Sequence, residues 1–193
     1  DNIPPTILTY QLAGNNSYVD LIFNDKMFGD VDASMPLDVE HVKIQIDPYG
    51  SIVDSCFITS VSKTNSNLLI GGEDSIRINL EYNGTPNGNE KIILSPSDNI
   101  ILYDDAGIPF SGISFTGQLE LNDMLPPSVD SISIPIDSFI VLKESTPITF
   151  QFNERLDSIA FTVSSIVMDT VNFSLISLDS SVEIRLEPPL ASY

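Results

Sequence analysis

Twenty-seven acidic residues against eight basic ones give this 193-residue chain a formal net charge of −19, so its carboxylates are the first place to look for chemistry. Asp25 with Asp30 and Asp32, the pair Asp104 and Asp105, and the acids Glu120 and Asp123 stand in stretches that also hold Gly or Asn. Calcium takes about six to eight hard oxygens of this kind, so it is the one ion these clusters would hold, and no other cofactor is required. None of them follows the EF-hand loop: Asp30-Val31-Asp32-Ala33-Ser34 lacks the third ligand and the glycine. Carboxylates gathered at a junction repel one another unless a cation bridges them, and a bridged junction would be stiffer.

Other chemistry finds less material. Nucleophilic catalysis needs a base within reach of a Ser, Thr or Cys. The single histidine, His41, falls on the polar face of an expected strand, where it reads as an exposed residue. The single cysteine, Cys56, sits in Ser55-Cys56-Phe57-Ile58 and reads as a small buried hydrophobe. One His and one Cys make zinc improbable, and no phosphate-cradling or nucleophile-elbow motif is present. The chain reads as a non-enzyme. With no Trp, a sugar platform would fall to tyrosines: Tyr49 beside Pro48 and Gly50, and Tyr82 beside Asn83 and Gly84, are the candidate ligand residues. The acidic balance argues against nucleic acid and against anionic membrane surfaces, both of which need Lys and Arg. No apolar run approaches the ~20 residues that span a bilayer.

The elements that would position these residues are strands. Alternation of period two recurs through Thr6–Leu12, Val19-Leu21-Phe23, Val42-Ile44-Ile46 and Cys56–Val61. It continues through Leu68–Ile70, Ile76-Ile78-Leu80, Ile92 with Leu94, Ile100 with Leu102, and Ile113-Phe115 leading to Leu119-Leu121. Asn, Gly, Pro and Asp clusters separate these runs. Met35 to Glu40 alone hints at a helical turn. Short strands at this spacing predict a β-sandwich. Beyond residue 128, strands are expected at Val129–Ile134, Ile148–Phe152, Phe161–Val163, Val171-Phe173-Leu175 and Val182-Ile184-Leu186.

One phrase occurs twice. Phe23-Asn24-Asp25-Lys26-Met27 and Phe152-Asn153-Glu154-Arg155-Leu156 both read aromatic, Asn, acid, base, apolar, and each follows a Pro-Pro pair, Pro4-Pro5 or Pro126-Pro127. Self-similarity at domain spacing points to tandem copies of one module. The predicted organisation is a linker over 1–5, a sandwich over 6–121, a Pro-rich linker over 122–128 and a second, smaller or truncated sandwich over 129–193. The opening Asp1-Asn2-Ile3-Pro4-Pro5 reads as linker, so the chain reads as an internal stretch of something longer.

The Pro-Pro linker, the alternating strand ending Phe-Asn-Asp or Phe-Asn-Glu, and the late Asp104-Asp105-Ala106-Gly107 together resemble bacterial immunoglobulin-like repeats. In those modules a strand ends Phe-Ser-Glu or Phe-Asn-Glu and a late loop reads Asp-x-Ala-Gly-Asn; here Ile108 replaces the final Asn. The resemblance implies an all-β fold of two tandem immunoglobulin-like sandwiches in a large secreted or cell-surface bacterial protein. The expected function is a structural or adhesive repeat, a spacer or stalk whose partners are neighbouring repeats of the same chain and an extracellular polysaccharide or cell-surface ligand. The alternatives are an accessory carbohydrate-binding module of a polysaccharide-degrading enzyme and a hydrolytic domain working with carboxylates alone.

Overall fold

The computed structural model describes residues 2–47, 53–133, 148–154, 172–178 and 180–187. The chain divides into two compact units, Asp1–Leu125 and Pro126–Tyr193. Among the described residues the structure is all-β apart from one 3-10 turn, with three antiparallel sheets. In unit 1, β1 (Ile7–Leu12), β2 (Tyr18–Met27), β4 (Ser55–Ser62) and β5 (Glu73–Asn83) form one sheet in the order β1-β2-β5-β4. β3 (Val42–Asp47), β6 (Lys91–Pro96) and β7 (Leu119–Glu120) form the other, in the order β3-β6-β7.

Alternation decides which face each sheet buries. Val19, Leu21 and Phe23 of β2 and Ile76, Ile78 and Leu80 of β5 turn inward, while Tyr18, Asp20, Ser75 and Arg77 turn outward. Val42, Ile92 and Leu94 of the second sheet join them in a single core, with Ile44 and Ile46 packed at its margin. This is the layered arrangement of a β-sandwich. Phe23 meets Phe115 edge-on at 6.1 Å and Phe110 at 6.3 Å, a geometry aromatic quadrupoles favour. On the outer face Arg77 grips Asp20 through two bonds of 2.7 and 2.8 Å and lies 3.5 Å over the ring of Tyr18. That fork spans the central β2–β5 ladder, where Asp20 and Arg77 are direct cross-strand partners.

Unit 2 contains β8 (Val129–Ile132), β9 (Ile148–Phe152), β10 (Asn172–Leu178) and β11 (Ser181–Glu187), in the order β10-β11-β9-β8. Taken from β8, that order matches the larger sheet of unit 1. The strand after the prolines comes first and the strand ending in the repeated phrase second. The later and then the earlier strand of a hairpin follow.

Several sequence expectations are corrected. Leu68–Ile70 is not a strand but part of the β4–β5 loop, with Leu68 84% and Ile70 77% exposed. The reason is Glu73, whose carboxylate takes the N–H groups of Ile70 and Gly71 at 2.9 and 3.0 Å, leaving them nothing to give a ladder. Ile100–Leu102 and Ile113–Phe115 are irregular too, although Leu102 and Phe115 are buried. The helical turn is shorter and later than Met35–Glu40, at Val39–His41, and Asp38 caps it. His41 is therefore buried rather than exposed on a strand. Its Nδ1 lies 2.7 Å from Asp38, and its ring fills the space over Gly29, where a Cβ would sit 2.3 Å from Nε2. The expected strand Phe161–Val163 lies outside the described residues.

Glu73 also makes stability depend on pH. Burial pushes its carboxyl up, but the N–H of Ile70, the ammonium of Lys63 at 3.2 Å and the N–H of Gly71 together hold it below the ordinary value of 4.5. A depressed folded value means the charge contributes stability above the unfolded value and loses it as pH falls through the folded one. Glu73→Gln is expected to cost about 1–2 kcal/mol at pH 7, measured by chemical denaturation. The gap between variant and parent should close as the pH drops below the ordinary carboxylate range.

Candidate functional site

The repeated phrase has a structural job, and it does the same job twice. A proline has no N–H, so after Pro4-Pro5 the first residue able to donate to a ladder is Thr6. Thr6 gives its N–H to Asn24 Oδ1 at 2.5 Å, and Asn24 returns its own N–H to the Thr6 carbonyl at 3.1 Å. After Pro126-Pro127 the pattern recurs: Ser128 N–H to Asn153 Oδ1 at 2.7 Å and Asn153 N–H to the Ser128 carbonyl at 3.0 Å. In each case the next pair inward joins the phrase's aromatic residue to the strand's first residue, Phe23 to Ile7 and Phe152 to Val129. The Asn amide stands in for a main-chain carbonyl, which frees the backbone to leave the sheet. In unit 1 it does so at once: the four residues Phe23–Lys26 of β2 stand opposite the single Asp74 of β5, between Ile22↔Ser75 and Met27↔Glu73, a bulge that bends the strand.

A second clasp holds the other end of unit 1. Asn16, 1% exposed and at φ 60°, donates through Nδ2 to the Asn122 carbonyl at 2.8 Å. Its Oδ1 accepts from Asn122 N–H and Nδ2, both at 2.9 Å, and Asn122 Nδ2 also reaches the Ala13 carbonyl at 3.2 Å. Asn is one of the few residues that tolerates this left-handed backbone. Thr6 precedes β1 and Ala13 follows it, so the chain is clasped on entry at one pole of unit 1 and on leaving at the other. Six strand residues separate the poles, about 20 Å.

The carboxylates offered as calcium ligands mostly close turns. Asp30 accepts from Ser34 N–H, the Ser34 hydroxyl and Met35 N–H; the hydroxyl above all holds its carboxyl below the ordinary value. Asp104, 1% exposed, accepts from Ala106 and Ile108 N–H at 2.9 and 2.8 Å through Oδ1. Its buried Oδ2 has no partner among the described residues. Asp25 takes the N–H of Lys26, Asp105 pairs with the Lys26 ammonium at 3.7 Å, Asp123 takes the N–H of Leu125, and Glu120 pairs with Lys91. Asp32 is exposed. The structure does bring the loop after β2 beside the loop holding Asp104: Phe28 and Tyr103 exchange main-chain bonds of 2.8 and 3.1 Å. Even so, among the described residues no three His, Cys, Asp or Glu side chains converge as a metal site.

Nor does a sugar platform form at Tyr82. Cys56 and Tyr82 are cross-strand partners, and the Tyr82 ring packs against the core instead of facing solvent. Tyr49 lies outside the described residues. A shallow depression lined by Gln45, Ile46, Asp47, Lys91, Ile93 and Gln118 contains no aromatic ring. Glu90, which no sequence motif marks, is fully buried and takes the Asn87 N–H on both oxygens, at 3.2 and 3.0 Å. The signal for it is weak: an acid two positions ahead of the apolar run Ile92–Leu94. Comparison with protein-family models, with curated proteins and with solved structures returns no match.

Burial pushes the Cys56 thiol up to about 11. At pH 8 the thiolate, the reactive form, is then on the order of a thousandth of the population. A thiol reagent at pH 8 is expected to leave the folded protein untouched over the minutes in which it labels Cys56 fully in denaturant. Labelling at equal rates in both would contradict the buried placement.

Proposed function

We propose that this chain is a non-catalytic structural repeat: two tandem immunoglobulin-like sandwiches that act as a spacer or adhesin stalk in a large secreted or surface-anchored bacterial protein. The observation that carries this reading is the placement of the clasps. Unit 1 receives its chain at one pole and releases it at the other, as a module in a linear array must. The matching strand order of the two sheets and the recurrence of the Asn clasp behind each Pro-Pro pair support two copies of one module. The scarcity of catalytic residue types, the turn-closing use of the candidate calcium ligands and the core placement of Tyr82 give the enzymatic and carbohydrate-binding alternatives no comparable footing.

Mechanism in such a protein is mechanical. Tension between the Thr6 end and the Asn122 end runs along β1. It loads the β1–β2 bonds together, because antiparallel bonds lie perpendicular to their strands. Opening then requires several rungs to fail at once, and the clasp is the rung nearest the pull. Stretching the chain from its two ends in a single-molecule experiment should give one rupture per unit. Asn24→Ala removes one side-chain bond, costing about 1 kcal/mol, and should lower only one of the two rupture forces; Asn153→Ala should lower only the other. Ruptures indifferent to both substitutions, or smooth extension with no peak, would refute the spacer mechanism.

A further inference from the structure

The entry pole of unit 1 displays aliphatic side chains that its own loops keep from collapsing. Three segments meet there: the loop after β2, the β4–β5 loop and the loop holding Asp104. Gly72 N–H donates to the Met27 carbonyl at 3.1 Å. The Phe28 ring lies beneath Gly71 and Gly72, with added Cβ positions 3.2 and 3.0 Å from it, and Pro36 N lies 3.7 Å from that of Gly71. Val31 sits against Gly107. On this platform Leu68, Ile70, Val31 and Met35 are 84%, 77%, 54% and 48% exposed.

Each of the two main loops is staked by a carboxylate. Glu73 holds the N–H groups of Ile70 and Gly71 and is itself held by Lys63. Asp30 holds Ser34 and the N–H of Met35, the residue displayed on the other loop. Gly71 and Gly72, at φ 95° and 78°, supply a backbone course that other residues rarely adopt. Apolar side chains left this exposed on braced loops at one pole suit an interaction surface.

Charge selects the partner. The two lysines of this pole are engaged, Lys26 with Asp105 and Lys63 with Glu73. Among the described residues no basic side chain pairs with Asp25, Asp30, Asp32 or Asp74. A second copy of the chain fits poorly: it would set acids against acids, and four side chains fall well short of the roughly 800 Å² per partner of a stable interface. We propose that this pole docks a short cationic segment of another protein, its Lys or Arg residues facing the acids and its aliphatic side chains seated among Leu68, Ile70, Val31 and Met35. This reading does not depend on the spacer function.

The probe is a short synthetic peptide of alternating Lys and Leu, titrated into the isotope-labelled chain and followed by amide NMR. Alternating Lys-Ser and Glu-Leu peptides serve as controls. Lys-Leu binding is expected to move signals of residues 28–36, 66–73 and 104–108. Leu68→Ser with Ile70→Ser should weaken it roughly tenfold or more, and Asp32→Asn with Asp74→Asn should weaken it and flatten its salt dependence. All four positions are exposed, so an unchanged Tm certifies the fold. Equal binding of Lys-Ser, unaffected by the Leu68 and Ile70 changes, would reduce the effect to a diffuse acidic field and overturn the proposal. Equal binding of Glu-Leu, or self-association that the same two changes abolish, would overturn it in favour of unselective apolar contact or of a second copy.

Discussion

A strand has two faces, and slipping its register by one residue exchanges them. In unit 1 that constraint is concentrated in the β2–β5 ladder, where six apolar side chains must point inward together. Three features hold the register against slippage. The Asp20–Arg77 fork links the strands at a fixed rung on the outer face. The Phe23, Phe110 and Phe115 rings interlock on the inner face. The Asn24 clasp ties β1 to the end of β2. The second sheet and the irregular segment carrying Phe115 cover the core that those positions present.

The acidic character of the chain looks different once its hydrogen bonds are traced. Asp30, Asp38, Glu73, Glu90, Asp104 and Asp123 all accept main-chain N–H groups close by in sequence. A carboxylate has no proton to give and can take two or more donors, so it suits loops whose N–H groups face no neighbouring strand. Much of what composition presents as surface charge is thus loop scaffolding. The same use sets apart acids adjacent in sequence, such as Asp104 and Asp105: one is buried in its own turn and the other faces Lys26.

The strands that were legible in the sequence are those with strict alternation and β-branched residues, such as β2, β5 and β9. Strand-like composition does not decide where a segment's amides go. Leu68-Leu69-Ile70 has strand-like composition, but Glu73, three to five residues on, takes the amides a strand would need. Ile113, 96% exposed, shows the same limit. The burial of His41 is not legible locally because it depends on Gly29, a residue twelve positions away whose missing side chain leaves the space. Strand β5 continues past Leu80, so Tyr82 is half-buried against the core rather than carried on a loop. The repeated phrase was visible at once, but its meaning was not, since Asn24 and Thr6 lie eighteen residues apart in sequence.

Clasping the chain at opposite ends of one strand has a further consequence. Folded unit 1 advances the chain by only about 20 Å, yet its 125 residues would reach roughly 400 Å if drawn straight. Nearly all of its length is therefore held in reserve behind the hydrogen bonds of β1. Under a pull too strong for those bonds, the unit would yield slack before any covalent bond was strained, and the work done in opening it would be dissipated rather than passed on. In the proposed spacer role, a polypeptide folded this way would act as a fuse as well as a strut.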